Sequence, residues 1–272
     1  MGEIKSITEI KNITDEQLRD ISAQRGFTLD LLLKDYYITV ILYLLRNIQG
    51  IYFKGGTALQ KMLLNHSRLS EDIDLTLTRD IELIKNEIIR TLELSQLFST
   101  ITLDRNQSSF IRIVVYYNKN QEIFIDLNKK ATLLKKSTLH EVRHFYLENI
   151  PLFSFPILAF EEMIAEKVRA AIQRNKPRDH FDIYQIIKLG MKIDLDLVKK
   201  KCDEACVEFD LTKMFNRAQK LKRRWDEDLI PLIKEEVTFT EVMKTLADYF
   251  NLKDEKKIKR NSLKTETDQL LR

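Results

Sequence analysis

The sequence predicts an α+β fold, in which a small mixed β-sheet with flanking helices is followed by a helical domain. Segments in which polar and apolar residues alternate, a pattern typical of strands, lie before residue 156. Beyond that point the apolar residues recur at the spacing of helices. Pro151 and Pro156 mark the change. We therefore expect one domain over residues 1–156 and a second over 157–272.

The first domain is predicted to begin with helices and to continue into the strands. Thr14 and Gly26 are residue types of an N-cap and a helix stop, which predicts a helix between them. A long, mostly apolar helix over 29–50 comes next. The further predictions are a short strand that runs into a glycine turn over 51–56, a helix over 57–65, a strand over 72–77, a helix over 80–95, and strands over 100–105, 110–117 and 122–128.

The second domain is predicted to consist of helices and a charged tail. The helices are expected over 158–175, 178–190, 195–209 and much of 212–250. Residues 252–272 carry many charges and few large apolar side chains, which predicts a frayed or flexible end.

Composition excludes several classes of protein. The formal net charge is +4, from 45 basic and 41 acidic residues, so contact with nucleic acid would need a local basic patch. Two cysteines, Cys202 and Cys206, are too few for a disulfide framework or a four-cysteine zinc site. The longest apolar run, residues 38–45, is too short to span a bilayer. With no signal peptide at Met1, we expect a cytoplasmic protein that does not enter membranes.

The strand predicted over 72–77 places two carboxylates on one face. Asp72 and Asp74 point to one side, and Ile73 points to the other. Carboxylates this close repel one another unless a cation lies between them, and hard oxygen ligands suit Mg²⁺ or Mn²⁺. Asp126, between apolar residues of a later strand, would complete a two-metal centre.

A glycine pair precedes these acids. Gly55 and Gly56 have no side chains, so the backbone can approach a phosphate, and Thr57 is predicted to be the N-cap of the next helix. Lys61, one turn along that helix, and Arg68, just before the acids, add positive charge. A nucleoside triphosphate with bound Mg²⁺ fits this set of residues.

The segments "FKGGTALQK" (53–61) and "RLSEDIDL" (68–75) resemble the first motif of the AbiEii/AbiGii toxin family, within the nucleotidyltransferase superfamily of the DNA polymerase β type. "IFIDLN" (123–128) matches the strand that carries the third acid, and residues 160–186 resemble the helical motifs. The resemblance covers roughly residues 50–190.

The resemblance implies roles for particular residues. Asp72 and Asp74 would hold the metal ions, with Asp126 as the third acid. Gly56 and Thr57 would hold the triphosphate. Lys167 and Arg174 would bind the nucleotide phosphates, with Lys167 among the catalytic residues, and Asp182 or Asp179 would be the last acid of the helical motif.

The implied reaction is nucleotidyl transfer. An RNA 3′-hydroxyl, implied to be that of tRNA, would attack the α-phosphate of a Mg²⁺-bound NTP, with Asp126 helping to deprotonate the hydroxyl. Translation and growth would stop, and a cognate antitoxin would be the partner. Two alternatives stay open: transfer to a small molecule or a protein side chain, and a relative without catalysis that binds nucleotide or nucleic acid.

Other motifs compete with this interpretation. "HEVRH" (140–144) fits the H-E-x-x-H zinc protease pattern, but Arg143 lies inside it and five-letter patterns recur by chance. The basic stretches 128–136 and 220–225 are either solvated faces or contacts for an RNA backbone, and Trp225 either stacks on a base or lies in the core. His66 and His180 are expected to be structural.

Overall fold

The computed structural model describes residues 9–129, 133–174, 176–216 and 218–252. It confirms the α+β fold. The chain forms two compact units: residues 1–166 with 232–235, and residues 167–231 with 236–272. This division falls after Glu166, inside a helix that covers Phe160–Gln173. The tail predicted at 252–272 lies outside the described residues, apart from its first residue.

One mixed sheet organises the first unit. Its order is β3-β4-β5-β2-β1-β7-β6, in which the β2–β5 and β1–β7 pairs are parallel and the other pairs are antiparallel. The strands are β1 (Ile51–Lys54), β2 (Asp72–Leu77), β3 (Thr100–Gln107), β4 (Phe110–Asn118), β5 (Gln121–Asn128), β6 (Thr138–Glu141) and β7 (Ser154–Ile157).

In the first unit, helices precede, separate and follow the strands along the chain, and the second unit is helical. Those that begin in the first unit are α1 (Asp15–Arg25), α2 (Leu29–Leu45), α3 (Gly55–Met62), α4 (Ile81–Ser95) and α5 (Phe160–Gln173). The second unit contains the end of α5, then α6 (Pro177–Lys188), α7 (Leu195–Glu204), α8 (Ala218–Asp228) and α9 (Phe239–Tyr249).

Local sequence explains the elements that were predicted correctly. Thr14 and Gln17 form a reciprocal capping box at the start of α1, and Gly26 ends that helix in the left-handed conformation. In β5 the apolar residues Ile123, Ile125 and Leu127 are fully buried, and the residues between them are partly exposed. This alternation places the aliphatic side chains in the core and leaves Phe124 and Asp126 on the opposite face.

Three details differ from the prediction. The short strands β6 and β7 were missed, and β7 contains Pro156, which the sequence suggested as a break. The Pro lies where β7 pairs with the outer strand β6. Helix α3 begins at Gly55 with Lys54 as its N-cap, so the predicted N-cap role of Thr57 is wrong.

None of the helices within the described ranges combines the length and the apolar character needed to cross a bilayer.

Candidate active site

Three aspartates share one face of the sheet. In β2, Asp72 and Asp74 alternate with Ile73 and Leu75, whose side chains are fully buried. Asp126 of β5 lies opposite Asp74 in the parallel β2–β5 register. Because paired residues of neighbouring strands point to the same face, the structure brings the three predicted carboxylates together.

A row of four charged residues crosses the sheet at Asp74, with the two acids in the middle and a cation at each end. Lys54 of β1 lies opposite Asp74, and Arg112 of β4 lies opposite Asp126. We call Lys54, Asp74, Asp126 and Arg112 the charged row. The ammonium of Lys54 also contacts the Glu166 carboxylate, at 3.1 Å. Sequence reasoning missed both cations of the row, although each is a charged residue within a mostly apolar strand.

Arg112 and Asp126 form a bidentate pair. The Nε and Nη2 atoms of Arg112 donate to the two carboxylate oxygens of Asp126, each at 2.7 Å. The guanidinium lies 4.7 Å from the ring centroid of Phe124. Hydrogen bonding to Asp126, and then the negative charges of Asp126, Asp72 and Asp104, raise the pKa of Arg112 further above its usual range. The arginine is therefore a permanent cation within the acid site.

The glycine turn makes room for an acid. Gly55 has a φ of +76°, and a Cβ built on it would lie 2.1 Å from Oδ2 of Asp74. A Cβ on Gly56 would lie 2.9 Å from Nη2 of Arg68. The first glycine is thus required both by its left-handed backbone and by the Asp74 carboxylate, which packs against it. The turn and the acid pair form a single structural unit.

We expect Gly55→Ala to reduce nucleotidyl transfer by about 100-fold, because the new methyl group must displace Asp74 and small misplacements of reacting groups cost that much. The left-handed backbone adds a strain of about 1–2 kcal/mol. Gly190→Ala is the matched control, since Gly190 has a φ of +71° and open space around it. Activity assays and urea unfolding of both variants check the prediction. Equal activities in the two variants would contradict it.

Thr57 and Arg68 lie beside the turn but are buried. The Thr57 hydroxyl donates to the backbone carbonyl of Asp72, which fastens α3 to the start of β2. Arg68 is 2% exposed and donates from Nη1 to the Leu69 carbonyl at 2.9 Å, with its guanidinium against Gly56. These contacts make both residues supports of the turn.

The side chain of Lys61 does not point to the three carboxylates of the sheet face. Its side chain is 1% exposed, and its Nζ lies 2.7 Å from Oδ1 of Asp35 and 3.0 Å from the Thr39 hydroxyl, both in α2. The expectation that Lys61 faces a phosphate overlooked Asp35, a buried acid within the apolar α2. A buried ammonium needs such a partner.

Two histidines lie near this ion pair. His66 and His144 are buried, and in the described part of the chain their Nε2 atoms lack a hydrogen-bond partner. Burial, and then the positive charge of Lys61, lower the pKa of His66 to about 3 and that of His144 to about 4. Both imidazoles are therefore neutral in the folded protein at neutral pH.

We expect the free energy of unfolding to fall when the pH is lowered from 7 to 5. Below pH 6.5 the unfolded chain protonates these histidines while the folded chain does not, so each costs about 2 kcal/mol of stability at pH 5. Urea unfolding at several pH values measures this slope. His66→Asn, which keeps a residue type that tolerates the φ of +54° at this position, should have a shallower slope. An unchanged slope would contradict the assignment to His66.

The residues predicted from the helical motif form one cluster in the second unit, which is buried except for Arg174. The Nζ of Lys167 lies 3.1 Å from Asp179 and 2.9 Å from Asp182. Arg174, whose side chain is 51% exposed, reaches Asp179 at 2.8 Å. Burial alone would raise the pKa of Asp179, but Lys167 and Arg174 outweigh it and hold that pKa below its usual range. Both candidate aspartates contact Lys167, and their predicted roles stay predictions.

The acid pair fits a divalent cation that is shared with a substrate. In the described residues, no group of three or more His, Cys, Asp or Glu side chains is arranged to hold a metal ion by itself. Mg²⁺ in nucleotide sites is usually held by one or two carboxylates, with water and phosphate oxygens completing its shell. Asp72 and Asp74 match this requirement, whereas both oxygens of Asp126 are engaged by Arg112.

Comparison of the sequence with protein families decides the class of protein. Residues 46–251 match the family described as "Nucleotidyl transferase AbiEii toxin, Type IV TA system". The chain belongs to the AbiEii family. It is therefore a nucleotidyltransferase toxin of a type IV toxin–antitoxin system. A comparison with curated proteins found no match.

Solved structures share the fold of this AbiEii protein. MenT4, a nucleotidyltransferase toxin from Mycobacterium tuberculosis H37Rv, is 21% identical with a TM-score of 0.62, over 87% of this chain and 89% of its own. JHP933 from Helicobacter pylori is 18% identical with a TM-score of 0.54, over 89% of this chain and 99% of its own. These likenesses confirm the nucleotidyltransferase fold predicted from the motifs.

The competing motifs have structural explanations in the AbiEii chain. His140 lies in strand β6, so "HEVRH" is not the helix that a zinc protease requires. Trp225 is buried, and its Nε1 donates to the Val237 carbonyl at 3.3 Å, which excludes stacking on a base in this conformation. His180 contacts the backbone carbonyls of Lys176 and Met214. Part of the basic stretch 128–136, residues 130–132, lies outside the described residues.

Proposed function

We propose that the protein transfers a nucleoside monophosphate from an NTP to the 3′-hydroxyl of an RNA, with tRNA as the acceptor. The observation that carries the proposal is the placement of Asp72, Asp74 and Asp126 on one sheet face, with Asp74 packed against the glycine turn. Membership of a nucleotidyltransferase toxin family supports it. The modified tRNA would no longer serve translation, and growth would stop.

Asp72 and Asp74 would hold a divalent cation, Mg²⁺ or Mn²⁺. Such a cation, when bound, neutralises charge that develops on the transferred phosphoryl group. The first N–H groups of α3 have no hydrogen-bond partner within the helix. The helix begins at Gly55, against which the Asp74 carboxylate packs. We assign the triphosphate to these N–H groups at Gly55 and Gly56, since a helix N-terminus favours anions.

In the reaction, the RNA 3′-oxygen bonds to the α-phosphorus, the bond from that phosphorus to the bridging oxygen breaks, and pyrophosphate leaves. The hydroxyl gives up its proton to solvent water. Both oxygens of Asp126 already accept hydrogen bonds from Arg112, so Asp126 does not take that proton.

RNA and an antitoxin are the proposed partners. Lys222 and Arg223 of α8 are exposed and provide positive charge for a phosphate backbone, although the chain as a whole is only mildly basic. A toxin of this family implies a cognate antitoxin that restrains it. We place the reaction in the cytoplasm, where NTPs and tRNA occur together.

The test is incubation with each α-³²P-labelled NTP, Mg²⁺ and total bacterial RNA, beside an Asp74→Asn variant. We expect label in a tRNA-sized band with the native protein and none with the variant. Label in the protein itself would show that the acceptor is a protein side chain, and label in a small product would show that it is a small molecule. Absence of any transferred label with every NTP would overturn the proposed reaction.

A further inference from the structure

The third carboxylate of the site is committed to an arginine. Arg112 and Asp126 lie opposite one another on adjacent strands, and the two nitrogens of one guanidinium edge meet the two carboxylate oxygens. This fork-to-fork arrangement is the strongest geometry available to an ion pair of side chains. The side chains are 25% and 14% exposed, so water screens the pair only in part.

Neighbouring groups fix the guanidinium where it is. Its carbon lies over the ring of Phe124, the β5 residue opposite Asp72. Asp104 of β3 approaches Arg112 at 4.0 Å on the side away from β5. These contacts hold the positive charge of Arg112 in a fixed position on the face of the sheet.

Two-metal centres need an acid in this position to bind the second ion. In such centres the cations lie about 3.5–4 Å apart, and the carboxylates between them give their oxygens to metal. Here a second divalent cation would have to displace Arg112 from Asp126, or share carboxylate oxygens that already accept strong hydrogen bonds. Arg112 provides, without any ion, one positive charge beside the acids.

We propose that Arg112 takes the place of the second divalent cation, so that the site holds a single divalent ion, on Asp72 and Asp74. The inference rests on the proposed function and deepens it. Asp126 then acts as the residue that positions Arg112, and Arg112 stabilises negative charge at the reacting phosphoryl group. An arginine suits this task because it stays protonated and offers several donors to phosphate oxygens.

Mn²⁺ binding tests the proposal without any turnover. The full chain is saturated with an NTP analogue whose α–β bridging oxygen is a methylene, titrated with Mn²⁺, and followed by electron paramagnetic resonance. Two Mn²⁺ ions about 4 Å apart are spin-coupled. We expect a single, uncoupled Mn²⁺ in the native protein, and a second, spin-coupled Mn²⁺ in Arg112→Gln. Arg105→Gln, the same change at the β3 residue opposite Arg112, should behave as the native protein.

A second arm does not depend on the folding of the Arg112 variant. We expect Asp126→Asn to leave the Mn²⁺ dissociation constant unchanged, because Asp126 holds Arg112 and not the ion. Asp74→Asn should raise that constant about tenfold or more. A spin-coupled pair in the native protein, or equal losses of affinity in the two variants, would overturn the inference. Label transfer to RNA would still support the proposed function in that case, so the two failures are distinguishable.

Discussion

Replacing Asp74 with asparagine is expected to lower nucleotidyl transfer on the order of 1,000-fold or more. Under the proposed function, this carboxylate would hold the divalent cation, whose loss would remove several kcal/mol of transition-state stabilisation. Asp74 is the acid that packs against Gly55, and it is central to the charged row, between Lys54 and Asp126. An amide has nearly the same shape as the carboxylate but no charge. Asp72→Asn should behave similarly.

The fold should survive this change. Removing one of three carboxylates from a single face lessens their repulsion, so we expect the free energy of unfolding to change by less than about 1 kcal/mol. Asp20→Asn, the same substitution at an exposed residue of α1, is the matched control for activity. Labelled-NTP transfer and urea unfolding, measured on the same preparations, separate chemistry from stability. Full activity of Asp74→Asn with normal metal dependence would show that the site is assigned to the wrong residues.

Local patterns account for what the sequence could predict. The shared face of Asp72 and Asp74 follows from the two-residue period of a strand, whatever that strand pairs with. The capping box of α1 depends on residues three apart. The AbiEii motif combines a turn and a strand that are close in sequence, which is why the family and the fold class could both be predicted.

Strand register and helix packing account for what the sequence did not show. Arg112 meets Asp126 because β4 pairs with β5 in one register, and a shift by a single residue would turn Arg112 to the other face. The glycine turn was correctly located, but the Asp74 carboxylate beside Gly55 became visible only when β2 and α3 were placed together. Short β6 and β7 carry too few residues for a periodic signal.

Lys61 shows the same limit for a helix. Helical spacing alone indicated a cation near the phosphate site, whereas packing against α2 buries it beside Asp35. A local signal existed, because an acid in the middle of an apolar helix usually has a buried partner. The identity of that partner depends on how α2 and α3 pack, which no pattern within either helix contains.

The buried Lys61–Asp35 pair gives the largest effect on stability that we expect. Lys61→Met should lower the free energy of unfolding by about 3–5 kcal/mol, because it leaves the Asp35 carboxylate buried without its cation. Lys34→Met is the matched control in α2. The Lys34–Glu71 pair is longer, at 3.7 Å, and more exposed, so its loss should cost less than about 1 kcal/mol. Urea unfolding of both variants measures the difference.

A double variant, Asp35→Leu with Lys61→Met, separates an uncompensated charge from a simple loss of packing. Removing both charges should restore most of the stability, since buried ion pairs contribute little compared with apolar residues of similar size. The Tyr146 hydroxyl, which donates to Asp35 at 3.1 Å, would keep its bond to the Leu32 carbonyl at 2.7 Å. A double variant as unstable as Lys61→Met would mean that packing around the side chains, and not the unpaired carboxylate, causes the loss. Because α3 begins with the glycine turn and contains Lys61 in its last turn, recovery of stability should be accompanied by recovery of nucleotidyl transfer.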